Sequence, residues 1–189
     1  MSLDWTALSD GELVALSLAG RQAAFAEILH RHGQAVFRLI RGYIGDADEA
    51  LDLAQDTFVA AHQALRRYDA ARPMRTWLSA IALNKCRDWG RKRTVRRVLS
   101  FARPIDARAE AVPEDTVGIE AAAADREELD RVTRAIAELP AALKESLILR
   151  TIEGLSQAET AALLSISEKA VETRLYRARA KLLEKLNGG

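Results

Sequence analysis

The sequence predicts an all-α protein made of two small helical domains joined by a flexible linker. Three observations carry that expectation. Ala and Leu dominate a chain of 189 residues that is 49% apolar but only 5% aromatic, which favours helix over sheet. Only four prolines and ten glycines interrupt it. Apolar residues return at three- and four-residue spacing over most of the chain, and that period fails between residues 100 and 124.

Each element has a local signal. Ser9 followed by Glu12 forms a capping box, so a first helix runs to about Ala19 and stops at Gly20. From Arg21 the positions Ala24, Phe25, Ile28, Leu29, Val36, Phe37, Leu39 and Ile40 mark a second helix, closed by Gly45. Asp46 with Glu49 opens a third, striped by Leu51, Ala54, Phe58, Ala61 and Leu65. The segment YDAARP then breaks the pattern, and Pro73 suits the first turn of a fourth helix. That helix has an apolar stripe through Trp77, Leu78, Ile81, Ala82 and Trp89, which places both tryptophans in the core. A second stripe through Thr76, Ala80, Asn84, Arg87 and Arg91 is small and polar, then basic.

Residues 100–124 hold two prolines, a glycine and many acids, the composition of a linker. A helical pattern resumes near Asp125 and runs to about Glu138. Pro140 opens another helix that ends at Gly154. Ser156 with Glu159 makes a second capping box, a turn follows at Leu164–Ser165–Ile166, and Ser167 caps a long last helix. The expected organisation is a domain over 8–98, a linker over 99–124 and a domain over 125–187.

The formal net charge of +1 hides a pattern. Residues 1–99 carry +4, residues 100–130 carry −6 and residues 131–189 carry +3. Residues 85–97 hold seven Lys/Arg against one Asp, a footprint for a polyanion. The single cysteine, Cys86, excludes an internal disulfide. The start MSLDWTALSDGELV lacks the basic, then apolar order of a signal peptide, and no apolar run is long enough to span a bilayer. The expectation is a cytoplasmic protein without membrane insertion. No phosphate-binding glycine loop, zinc spacing or nucleophile elbow occurs, so no catalytic residue, cofactor or metal is expected. His30 and His32 lie two apart on a helix and point in different directions, which argues against a metal site with His62 and Cys86.

The last two helices have the outline of a helix-turn-helix. Ala162 and Leu163 are expected to face inward, with Ile166 in the turn and Val171, Leu175, Ala178 and Leu182 continuing the stripe. The opposite face carries Glu168, Lys169, Glu172, Thr173, Tyr176 and Arg177. Such a face is either a solvated flank or a reader of the DNA major groove. In the second case Arg grips guanine, Thr meets a thymine methyl and Glu accepts from cytosine. Arg174, Arg179 and Lys181 flank it at positions suited to phosphate.

Two stretches carry a family resemblance. DLAQDTFVAAHQAL with RYDAARPMRTWLSAIALNKCRDWGRKR resembles region 2 of bacterial RNA polymerase sigma factors of the extracytoplasmic-function class. LPAALKESLILRTIEGLSQAETAALLSISEKAVETRLYRARAKL resembles their region 4. The two occur in family order and cover about Leu8 to Leu186. The resemblance implies a sigma region 2 helical bundle and a region 4 helix-turn-helix. It assigns Asp52, Gln55 and Asp56 to docking on the clamp coiled coil of the polymerase β′ subunit, with Gln-Asp where Gln-Glu is more usual. It assigns Tyr68, Arg72, Asn84, Arg87, Arg91, Lys92 and Arg93 to the −10 promoter element, Asn84 lining a pocket for a flipped base. It assigns Lys169, Glu172, Thr173, Arg174, Tyr176 and Arg177 to the −35 element, where Glu172 departs from the usual cation. The implied partners are core RNA polymerase (β′ clamp and β subunits), promoter DNA and an anti-sigma factor, and the implied role is stress-responsive. A stand-alone helix-turn-helix regulator is the competing reading. For the free chain two arrangements are open: modules mobile about residues 100–124, or modules folded on each other.

Overall fold

The computed structural model describes residues 4–100 and 120–187. Among these, eight α-helices follow in order: α1 (Asp10–Leu18), α2 (Gln22–Ile44), α3 (Ala47–Ala64), α4 (Met74–Ser100), α5 (Glu120–Ala137), α6 (Ala141–Thr151), α7 (Gln157–Leu164) and α8 (Glu168–Asn187). Short 3-10 turns lie at Trp5–Ala7 and Leu65–Arg67. The described backbone is helix, turn and loop.

The caps stand where the sequence sets them. Ser9 N donates to Glu12 at 2.7 Å and Glu12 N donates back to Ser9 Oγ at 3.3 Å. Ser156 and Glu159 repeat the exchange at 2.7 and 3.2 Å. These serine hydrogen bonds hold both glutamate carboxyls below the usual carboxylate range. Asp46 caps α3 through Glu49 N, and Ser167 caps α8 through Ala170 N. Ser165 ends α7 in the left-handed region at φ 55°, and its N–H bonds back into α7. The fourth and fifth helices are longer than expected, reaching Ser100 and starting at Glu120. Both ends of the anticipated linker are thus helix, while residues 101–119 lie outside the described residues.

One core gathers Leu13, Ile28, Leu39, Ile40, Phe58, Leu65, Met74, Leu78 and Leu83 from α1 to α4 and the turn between α3 and α4. Ile148, Leu149 and Leu155 from the C-terminal half belong to this same core. A second core joins Leu139, Leu147, Ala161, Val171, Leu175 and Ala178. Helix α6 is the shared element. Lys144 to Leu149 are six consecutive buried residues, so the helix is covered all round. Each aliphatic side chain buried there contributes roughly 1.5–3 kcal/mol. The modules are therefore folded on each other.

Helix α2 makes room for this seam with glycine. A Cβ on Gly42 would lie 2.7 Å from Ile152 Cδ1. Gly45 closes α2 at φ 81°, and a Cβ there would lie 2.8 Å from that of Ala137. Both its dihedral and its neighbours require glycine.

Three expected core positions differ. Leu29 and Leu51 are exposed, because the outer edges of α2 and α3 diverge into an open groove. Ala162 is exposed, and Thr160 and Ala161 take the inward positions of α7. An eight-residue helix has few apolar positions to fix its phase, and contact with α8 decides it. Trp77 and Trp89 lie at the rim, half-buried against the core. The Tyr68 ring stands edge-on to Trp77 at 5.3 Å, and the Trp89 indole N–H donates to Glu49.

Candidate polymerase and nucleic-acid interfaces

The acidic face of α3 is open to solvent. Asp52, Gln55 and Asp56 are all exposed, at the i, i+3, i+4 spacing that puts them on one side. Beside them runs an apolar groove between α2 and α3. Leu29, Phe37, Leu51, Gln55, Phe58 and Val59 line its two lobes, of about 330 and 380 Å³. Val59 is 57% exposed and Leu51 54%. An acid-rimmed apolar groove can take a helical partner with apolar anchors and a basic flank. The sequence pointed to the acids, but it placed Leu29 and Leu51 in the buried stripes and gave no role to Val59. Their signal is an apolar residue on each side of the acidic stripe, at Leu51 and Val59.

The loop before α4 is fixed by its own side chains. Tyr68 Oη donates to Arg72 O at 2.8 Å, and Asp69 accepts from Ala71 N at 3.0 Å. Arg72 is exposed. On α4, Asn84, Arg91, Lys92 and Arg93 are also exposed. The Arg93 guanidinium lies 5.0 Å from the Trp89 ring centroid, and Arg91 pairs with Asp88 one turn back. This surface is cationic, with one neutral amide in it.

Arg87 is the exception in that set. Its Nε and Nη2 each donate to the Glu145 carboxylate of α6 at 2.8 Å, and its Nη1 donates to Asn84 Oδ1 at 3.2 Å. The Glu145 hydrogen bond raises the Arg87 pKa above its usual value. Arg75, near the start of α4, is held likewise. Its Nε donates to Glu153 at 2.9 Å, and Ser79 Oγ donates to the same oxygen at 3.1 Å. Neither acid was singled out from the sequence, because partners 58 and 78 residues away leave no periodic trace.

On α8, Lys169, Glu172, Tyr176 and Arg177 are exposed, with Thr173 and Arg174 half-exposed. Lys169 Nζ donates to Glu172 at 2.9 Å. The carboxylate that departs from the family pattern thus has a cation of its own helix beside it, in an exposed pair. Thr173 Oγ donates to Lys169 O at 2.9 Å, which leaves its methyl free for apolar contact. Gln157 ties α7 to the start of α8 through Glu168 O at 3.1 Å. Tyr176 is 76% exposed, an aromatic with no partner to cover it among the described residues.

Comparison with known proteins bears on what these faces serve. A family model for sigma-70 region 2 matches residues 28–108, and one for sigma-70 region 4 matches residues 129–182. The RNA polymerase sigma factor CnrH of Cupriavidus metallidurans is 42% identical, the alignment covering 92% of each chain. The chain belongs to the sigma-70 family of RNA polymerase sigma factors, in the extracytoplasmic-function class. The ECF RNA polymerase sigma factor SigM of Mycobacterium tuberculosis is 33% identical, with 92% of this chain and 83% of that one aligned. The solved structure of CnrH in complex with the cytosolic domain of CnrY superposes with a TM-score of 0.67 at 36% identity. It covers 95% of this chain and 97% of CnrH. RpoE from Bartonella quintana, solved with the anti-sigma factor NepR, shares the fold at the same TM-score.

This sigma factor thus has the all-α fold of its family, with regions 2 and 4 in the order read from the motifs. None of its described helices is long and apolar enough to cross a membrane. His30 is exposed, His32 bonds to Asp10 at 3.1 Å and the His62 ring packs edge-on to Phe25 at 4.7 Å. Cys86 is fully buried, and burial pushes its thiol up to about 12.

Proposed function

We propose that this sigma factor binds core RNA polymerase through α3, around Asp52, Gln55 and Asp56 and the apolar groove beside them. The loop at Tyr68–Arg72 and the basic face of α4 then take the −10 strand, with the Asn84 amide meeting one flipped base. An amide offers both a donor and an acceptor to a base edge, which suits that role. The −35 element is read by Lys169, Glu172, Thr173, Arg174, Tyr176 and Arg177 on α8. A cytoplasmic anti-sigma factor restrains the chain until a stress signal arrives, in line with the complexes of its structural relatives. The factor catalyses no chemistry itself.

One observation carries this over the stand-alone regulator: an α3 surface suited to a protein partner lies on the same chain as a helix-turn-helix. A self-sufficient regulator leaves that surface without a role. The test is abortive transcription by purified core polymerase on a promoter library, with and without the protein. Initiation that appears only with the protein is expected, and Asn84→Ala should cut it by about tenfold with the defect centred on one −10 base. Sequence-specific DNA binding without polymerase, and no gain in initiation, would sink the reading.

A further inference from the structure

We infer that the closed chain masks itself: Glu145 of region 4 occupies Arg87, an arginine of α4 that the −10 strand would otherwise engage, and Glu153 holds Arg75 near the start of the same helix. This rests on the reading of α4 as the strand-holding helix. The contact is asymmetric. The Glu145 and Glu153 side chains are 7% and 1% exposed, whereas their partners Arg87 and Arg75 are 38% and 41% exposed. The arginines look toward solvent; for Glu145 and Glu153 they are the only cations paired among the described residues, with Ser79 Oγ also donating to Glu153. A buried carboxylate that loses its cation is left uncompensated, so each acid depends on the closed state. Arg87 grips Glu145 through two parallel hydrogen bonds, the geometry by which guanidinium takes phosphate, and it cannot serve both at once. It also ties down the Asn84 amide.

The two pairs stand twelve residues apart on α4, about 18 Å along its axis, so they fix the helix along its length. Along the same seam Lys144 Nζ donates to Tyr43 O at 3.0 Å, Arg41 pairs with Asp130, and Ile148, Leu149 and Leu155 complete the first core. Opening must break both pairs and expose those side chains, which demands a partner that binds the open form better. Glu153 is held through one oxygen, Oε2, while Glu145 uses both.

The test compares the full-length chain with Glu145→Gln/Glu153→Gln. Glu127→Gln/Glu128→Gln, exposed on α5, is the control for lost charge. Opening is read by solution scattering and by the reaction rate of Cys86, whose thiol lies close enough to feel the charges of Lys144 and Glu145. Masking is read by the affinity of the free chain for a fluorescein-labelled single-stranded DNA of mixed sequence. The double variant should show a larger radius of gyration, a thiol rate raised by about tenfold or more and DNA binding tightened by a similar factor. The control should match wild type. Arg87→Gln should open the chain from the other side, and adding Glu145→Gln should open it little further, since the two remove one interaction. Unchanged scattering and thiol rate in all these variants would overturn the latch. A chain that opens without gaining DNA affinity would instead refute α4 as the strand-holding helix, and the masking with it.

Discussion

Cys86 shows how a single residue takes its properties from its surroundings. By sequence it sits among cations that would activate a thiol. In the fold, burial outweighs the nearby Lys144 charge and raises its pKa from 9.0 to about 12. The unfolded thiol gives up its proton near 9, while the folded one keeps it to about 12. Over that interval the native state binds more protons, so stability falls as pH rises. Urea titrations should give level midpoints through neutral pH and a decline above about pH 9. In Cys86→Ala that decline should be shallower. It should not vanish, because burial also raises Tyr43 to about 12 and adds to the slope from higher pH. A variant whose decline matches wild type would show that the thiol is not shielded. At this scale the caps were legible, since Ser9, Asp46, Ser156 and Ser167 act within three residues of themselves. The partner of Arg87 was not, because an ion pair between α4 and α6 depends on how the two halves dock.

Helices were legible in type and order, and their phase less so. The third helix was read with Leu51 in its buried stripe, but α2 leaves that edge open and the residue faces the groove with Val59. Val59→Asp should therefore leave the thermal midpoint within about a degree while weakening core polymerase binding by about tenfold or more, as measured by competition with a labelled sigma factor. Unchanged binding would remove the groove from the docking surface. Helix α2 is tuned in the opposite direction, since its last turn is kept bare for a neighbour. Gly42→Ala places a methyl 2.7 Å from Ile152 Cδ1 without altering any charge. The Ile152 terminal methyl must turn away, while Ala favours helix over Gly by about 1 kcal/mol, so denaturant unfolding should show a net loss of about 1 kcal/mol. No loss would mean that the seam yields easily. Sequence periodicity marked Gly45 as a stop signal but had no means of marking Gly42, whose reason lies on another helix.

For the whole molecule, the sequence indicated two modules and left open whether they touch. The apolar period that revealed α6 could not say that its two sides serve different cores. Leu147 packs with the helix-turn-helix, while Ile148 and Leu149 pack with the first four helices. The consequence is evolutionary. Adjacent codons answer to different halves of the protein, so a change that refits the support of α8 also shifts the surface presented to α4. The proposed −35 and −10 readers are therefore not free to drift separately. A lineage that alters one must find compensating changes in the other, and its paired promoter elements are expected to change together.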